Sequence, residues 1–342
     1  MTRPVVLLHP HPQTRAALFS DSAWSILNER FEVSEDPDQF EALLPEAMAV
    51  VGQPDLPADQ LERASRLKAV LNVEGNFFPN VDYAACFERG VYVLGCGPAY
   101  AQPVAEYSLG LAIDLARGIT REDRAFRAGR ERYTIDANHD AVLLRHSEIG
   151  LIGFGNLGRA LLPLLRPFSP RIRVYDPWLP DSVLREADVE PATLDEVLST
   201  STFVFVLAAI TDENQHLLDG QRFDLLRPGA RLVLVSRAAV ADFPALYERV
   251  EAGRFVAAID VWPDEPVAAE DPARSLDGLV LSAHRAGGMA SAFHQIGEMV
   301  LDDLTLLAAG LPPVRMQVAS RELVGRYRSK PVVKESQPVV QE

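Results

Sequence analysis

The run Gly153-Phe154-Gly155-Asn156-Leu157-Gly158 constrains the fold of this chain more than any other stretch, because of its neighbours. Ser147 to Ile152 before it reads as a short buried strand, and Arg159 to Leu165 after it reads as a helix start. A second strand follows over Arg171–Tyr175 and stops at Asp176. Strand, glycine turn, helix, strand and terminal acid are the context that a dinucleotide-binding fingerprint requires. Gly153 permits the tight turn, Gly155 lets backbone approach a pyrophosphate, and Gly158 lets the helix pack close to the sheet. Asn156 and Leu157 open the helix, whose unpaired N–H groups and partial positive charge suit phosphates. Asp176 lies 23 residues beyond Gly153, where a carboxylate can accept from both ribose hydroxyls. Pro177 and Trp178 follow it, not Arg or Lys. A 2′-phosphate would meet a carboxylate there, so NAD is expected over NADP.

The fingerprint starts near the middle of 342 residues, a length that suggests about two domains. Ahead of it, Val5–Leu8, Phe31–Ser34, Ala47–Val51, Leu67–Val73 and Val91–Leu94 read as buried strands between helical stretches such as Pro57–Ser65. Alternation of this kind implies a parallel sheet covered on both faces. Pro103 to Arg117 reads as a long apolar helix, with Pro103 suited to its first turn. From Ile149 onward six strands fit a second parallel sheet: Ile149–Ile152, Arg171–Tyr175, Thr202–Leu207, Ala230–Val235, Val256–Ile259 and Gly278–Ser282. Ala290 to Ala309 reads as another long helix, and the polar run from about Arg326 reads as a loose tail.

The net charge is −15, which disfavours a nucleic-acid partner. The longest strongly apolar stretch, Phe203–Ile210, is far short of a membrane span, and Val5–Leu8 is too short for a signal-peptide core. Cys86 and Cys96, the two cysteines, have no metal-ligand spacing and read as buried thiols in a reducing compartment. A cytoplasmic protein is expected. His9, His11, His139, His146, His216 and His294 show no partner pattern and read as structural or surface residues.

Ligands of open α/β sheets bind beyond the C-terminal strand ends, and three such ends carry chemistry here. They are Val235-Ser236-Arg237, then Ile259-Asp260 through Asp264-Glu265-Pro266, then Ser282-Ala283-His284 running to Gly287. Arg237 can hold a substrate carboxylate bidentately. His284 can pass a proton to a carbonyl oxygen as hydride reaches carbon, and Glu265 can orient it. Asp260 is placed to accept from a nicotinamide carboxamide. Ser236 and Gly287 flank these groups.

On these residues the chain resembles the D-isomer-specific 2-hydroxyacid dehydrogenases over roughly residues 50 to 310. The family's Ser-Arg-Gly is echoed by Ser236-Arg237-Ala238, its Asp-Val-Phe-x-x-Glu-Pro by Asp260 to Pro266 with Trp262 for Phe, and its Pro-His-x-x-Gly by Ala283 to Gly287 with Ala283 for Pro. Val104-Ala105-Glu106 is a further shared feature. The intervals of 28 residues from Arg237 to Glu265 and 19 from Glu265 to His284 keep to the family. The resemblance implies two Rossmann-like or flavodoxin-like doubly wound parallel-sheet domains with a cleft between them. It implies a discontinuous substrate domain over 1–100 and 286–325, an NAD-binding domain over 101–285 and a tail over 326–342. It also implies a homodimer, and Arg237, Glu265 and His284 as substrate binder, support and acid/base for a small 2-oxo or 2-hydroxy acid.

The family's substrate loop corresponds here to Glu74-Gly75-Asn76-Phe77-Phe78-Pro79-Asn80-Val81-Asp82. Asn76 and Phe77 are the substrate-contact candidates. Phe77 replaces a glycine, and its ring either narrows the pocket or packs into the domain. Glu74 brings negative charge near an anion site and weighs against a multiply charged substrate such as 3-phosphoglycerate. Two alternatives remain open: oxidation of a small oxyanion such as phosphite, and an NAD(H)-sensing binding protein like the corepressors built on this fold.

Overall fold

The computed structural model describes residues 3–75, 77 and 79–326. The chain divides into two compact units, one built from residues up to Tyr100 and from Met289 onward, the other from Ala101–Gly288. In the first unit, β1 (Val5–His9), β2 (Glu32–Ser34), β3 (Ala47–Gly52), β4 (Ala69–Leu71) and β5 (Tyr92–Gly95) are parallel and stand in the order β5-β4-β3-β1-β2. Successive side chains along a strand point to opposite faces. Val6, Leu8, Ala49 and Val51 accordingly pack on one side with Leu18, Ile296 and Val300. Leu7 and Val50 pack on the other with Leu44, Leu61 and Phe77. Both faces are apolar, which is why all six residues of β3 are buried.

The second unit contains β6 (Glu148–Ile152), β7 (Arg171–Tyr175), β8 (Glu190–Pro191), β9 (Phe203–Val206), β10 (Ala230–Leu234), β11 (Phe255–Ile259) and β12 (Leu279–Leu281). They form one parallel sheet in the order β12-β11-β10-β9-β6-β7-β8. The order of strand addition reverses between β6 and β9, which creates the crevice where doubly wound sheets take ligands. The register matters for the site. Tyr175, Ile152, Val206, Leu234, Ile259 and Leu281 pair in one continuous row across six strands. Every chemistry-bearing residue of this unit follows that row by a few positions.

Two short strands lie outside the sequence expectation. β8 adds a seventh strand to the expected six, and its Pro191 lacks an N–H, which suits a sheet edge. β13 (Gln317–Val318) runs antiparallel against β5. Buried Asp303 sets the approach to it by accepting from the N–H groups of Val314, Arg315 and Met316. A two-residue strand is too short to show a period of two. The long helix also starts earlier than expected. It spans Gly97–Arg117, so Pro98 occupies the first turn and Pro103 lies inside the helix. The expected tail from Arg326 falls almost wholly outside the described residues.

Candidate active site

The fingerprint adopts the strand–turn–helix geometry its glycines allow. Gly153 has φ +96°, and a Cβ there would lie 2.8 Å from the Ala208 backbone. A Cβ on Gly158 would lie 2.8 Å from the Gly153 carbonyl oxygen. At Gly155 a Cβ would meet nothing within 4 Å. Gly155 precedes the helix Asn156–Leu165, whose N-terminus has no side-chain cap. The open space ahead of those N–H groups is a cradle that a side chain would fill, and it suits a pyrophosphate. Asn156 is exposed and Leu157 half-buried beside it.

Asp176 ends β7 with both oxygens anchored. Oδ2 accepts from Phe154 N at 2.8 Å and Oδ1 from Trp178 N at 3.0 Å. Each oxygen keeps a lone pair for a ribose hydroxyl. Asp176 lines a cleft of about 450 Å³ that also includes Asp181, Thr193 and Glu196. Asp181 pairs with Arg185, while Glu196 closes a capping box with Thr193, whose two donors hold the carboxyl below the usual range. With Asp181 offset by Arg185, Asp176 and Glu196 still line this cleft as carboxylates that repel an added phosphate dianion, so the structure extends the case against NADP beyond Asp176.

At the far side of the row, His284 Nδ1 lies 2.8 Å from Glu265 Oε2. Glu265 is steadied in turn, its Oε1 accepting from Trp262 N at 3.0 Å. The pair is about two-fifths exposed on each partner, open to a reacting molecule. Arg237 leaves β10 with extended backbone and donates from one guanidinium nitrogen to the Ser236 carbonyl at 2.7 Å. The hydroxyl of Ser236 is buried and finds no hydrogen-bond partner among the described residues.

Asp260 differs from the simple expectation of a nicotinamide acceptor. Its side chain is 1% exposed, and its carboxylate is largely taken up by the chain itself. Oδ1 accepts from Ser282 Oγ and from Arg285 N at 3.0 Å, and Oδ2 accepts from Ala286 N at 3.1 Å. One lone pair of Oδ2 remains for a carboxamide. The loop that ends in half-buried Gly287 is therefore pinned to β11 through this residue.

The residues from Gly153 to Ala286 fall inside a match to the family model for the D-isomer specific 2-hydroxyacid dehydrogenase NAD binding domain, which covers residues 109–286. The chain belongs to that family. A phosphoglycerate oxidoreductase from Rhizobium etli, known as a crystal structure, is 45% identical, spans 93% of this chain and 99% of its own, and superposes with a TM-score of 0.87. A glyoxylate reductase from Korarchaeum cryptofilum is 28% identical over 264 residues, covering 75% of this chain and 78% of the relative. A D-3-phosphoglycerate dehydrogenase from Archaeoglobus fulgidus is 28% identical over 269 residues, and the match spans 50% of that longer protein. The chain is thus an NAD-dependent oxidoreductase of the 2-hydroxyacid dehydrogenase type.

Of the two placements open to the Phe77 ring, the structure has it packed into the domain. Phe77 is 3% exposed and sits in the core of the first unit, its ring 3.1 Å from where a Cβ on Gly95 would stand. The apolar core is the better environment for a phenyl ring, so the Phe77 side chain packs there. Asn76 lies outside the described residues. Glu74 accepts a hydrogen bond from Gln13 Nε2, which orients its carboxylate without neutralising it. Tyr107, Trp262 and Ser282 were not singled out from sequence, although Trp262 was visible as a departure from the family's Phe. Tyr107 OH lies 2.7 Å from Ser282 Oγ, and Trp262 Nε1 donates to the Ser282 carbonyl at 2.7 Å.

Proposed function

We propose that the protein interconverts a small 2-oxo acid and its D-2-hydroxy acid, with His284 as the proton-transfer group. The 2.8 Å contact between His284 Nδ1 and Glu265 Oε2 carries this reading. A carboxylate only accepts, so Nδ1 holds its proton in either charge state of the ring. Nε2 is then the nitrogen that gives a proton to a carbonyl oxygen or takes one from a hydroxyl. When bound, the nicotinamide supplies or receives the hydride at the substrate's C2. Arg237 binds the substrate carboxylate and polarises the carbonyl, Glu265 orients His284, and Asp260 with Ser236 and Gly287 frames the nicotinamide. Gly153, Gly155, Asn156, Leu157 and Gly158 receive the pyrophosphate and Asp176 the adenosine ribose. The unit built on the N-terminal hundred residues and the C-terminal segment takes the substrate-domain role.

The test is NADH oxidation with glyoxylate, hydroxypyruvate, pyruvate and 2-oxoisocaproate, in wild type and His284→Ala. Turnover that survives unchanged in His284→Ala would remove the proton-transfer assignment. A second reading, a phosphorylated acid of the phosphoglycerate type, is supported by the 45% identical relative. The buried Phe77 ring takes away pocket narrowing as an argument against it, while the negative charge of Glu74 still counts against a phosphate dianion. 3-Phosphohydroxypyruvate belongs in the same panel, and phosphite with NAD covers the oxyanion alternative. Tight NADH binding without turnover on any of them would favour a sensor.

A homodimer is also proposed. The segment 119–143 exposes Ile119, Phe126, Tyr133, Ile135 and Leu143 at 55%, 64%, 67%, 74% and 66%. Apolar exposure on this scale marks an interaction surface. Arg121 and Arg231 both bind Asp140, which holds the segment's shape. Light scattering of wild type and Phe126→Glu checks it, a monomeric wild type being the contrary result. No described helix is long and apolar enough to cross a membrane. The net charge of −15 supports a protein without a nucleic-acid partner.

A further inference from the structure

His284 stands in a backbone conformation that an L residue adopts reluctantly, with φ +48°. A non-glycine residue there persists only when its surroundings hold it. Those surroundings can be traced bond by bond. The His284 N–H donates to the Asp260 carbonyl at 2.7 Å, and the next two N–H groups donate to the Asp260 carboxylate. Upstream, the Ser282 carbonyl accepts from the buried Trp262 indole at 2.7 Å. The proton directions in the remaining contacts are determined. Asp260 can only accept, so the single hydroxyl proton of Ser282 goes to Asp260 Oδ1. Ser282 Oγ must then accept from Tyr107, giving a directed chain Tyr107 to Ser282 to Asp260.

Trp262 has a second hold on the site. Its backbone N–H fixes Glu265, while its side-chain N–H fixes the strand end two residues before His284. One residue therefore braces both members of the 2.8 Å His–Glu pair. The indole ring itself packs against Phe243 at 6.1 Å, a contact that a phenyl ring can keep. Replacing Trp262 by Phe would delete the indole hydrogen bond and retain both the ring packing and the backbone contact to Glu265.

We propose that Trp262, Ser282 and Tyr107 are positioning residues that hold the His284 backbone in its proton-transferring orientation. The proposal rests on the reading of His284 as the proton donor. The experiment uses the full-length protein as wild type, Trp262→Phe, Tyr107→Phe and His284→Ala. Hydrogen exchange of the 282–288 segment is measured together with kcat and the KM for NADH, on the 2-oxo acid from the panel that wild type reduces fastest. The expected result is several-fold faster exchange confined to that segment in Trp262→Phe and Tyr107→Phe. With it, kcat falls about tenfold in Trp262→Phe, the rate equivalent of one lost hydrogen bond, at little-changed KM for NADH. The Trp262→Phe effect on kcat should vanish in a His284→Ala background. Unchanged exchange in both variants overturns the proposal, as does faster exchange with kcat intact. Full turnover in His284→Ala removes the proton-donor reading instead, and the exchange data then decide by themselves whether these side chains anchor the loop.

Discussion

The C-terminal edges of the two parallel sheets put their polar groups to different uses. In the Ala101–Gly288 unit, the residues after the strand row leave hydrogen-bonding capacity that the chain does not use: the uncapped helix N-terminus at Gly155, the remaining lone pairs of Asp176 and the exposed face of His284. In the other unit the strand-end groups bind one another. Gln53 bridges two loops, donating to the His11 carbonyl and accepting from Val73 N. Gln13 pairs with Glu74, and buried Asn80 donates to Asn72. Phe77, from the same loop as Glu74 and Asn80, belongs to the apolar core. The first edge leaves hydrogen-bonding groups at the protein surface, whereas the second buries most of its own, with Asn72 Nδ2 and Asn80 Oδ1 left without a partner among the described residues. Mutations should therefore separate them, with catalytic losses at the first and stability losses at the second.

The largest expected effect is at His284. His284→Ala should lower kcat by about 10²–10⁴-fold, the usual worth of a positioned acid–base group. Its two-fifths exposure means little packing is lost, so the unfolding midpoint in urea should scarcely move. Steady-state kinetics and urea titration on the same preparation check both halves. The counterpart is Phe77→Ala, expected to cost about 3–5 kcal/mol of stability as a core phenyl truncation. If Phe77 instead lined a substrate surface, the variant would raise the KM for the acid at unchanged stability, and the contrast between the two edges would fail.

This contrast also explains what could be read from sequence. Buried parallel strands such as Ala47–Gly52 and Phe203–Val206 are uninterrupted apolar runs, so both sheets were legible from hydrophobicity and spacing. Glycine at 153, 155 and 158 reports backbone constraints, and those follow from residue type alone. That Arg237, Glu265 and His284 stand beyond the strand row at one edge was legible from the spacing of the strands that carry them. Phe77 was not decidable, since a phenyl ring satisfies a core and a pocket equally and only the fold says which way it points. β8 and β13 were too short to show a pattern. The brace from Trp262 depends on where an indole N–H points, which spacing does not encode.

A smaller pair of effects should separate stability from cofactor affinity within the fingerprint itself. Gly153→Ala must accept φ +96° and a close backbone contact, so it should lose roughly 1–3 kcal/mol or more of stability. Gly155→Ala meets open space and should fold like wild type. Its methyl group occupies the cradle, however, and NADH affinity should weaken by about tenfold, one hydrogen bond's worth. Calorimetry and fluorescence titration with NADH measure the two separately. Equal affinity in Gly155→Ala and wild type would mean that the pyrophosphate does not sit ahead of this helix.

The smallest effect at neutral pH is an alkaline one, and it again divides the two units. Both cysteines lie in the first hundred residues. Burial pushes the Cys86 thiol up to about 11, with Asp82 adding to the rise, and burial pushes Cys96 up as well. A thiol whose pKa is raised on folding contributes its stability in full below the unfolded value near 9. That contribution is lost as pH climbs toward the folded value, because the unfolded chain releases the proton first. In the other unit, Tyr247 is raised by burial and by Asp271, and its loss begins only near the ordinary phenol range around 10. Stability should therefore fall between pH 9 and 10 mainly through the thiols. Urea midpoints at pH 8, 9 and 10 should decline less in a Cys86→Ala, Cys96→Ala double variant than in wild type, whereas Tyr247→Phe should follow wild type over that interval. A double variant that declines as steeply as wild type would place the alkaline weakness elsewhere, and with it the difference in how the two units manage buried ionisable groups.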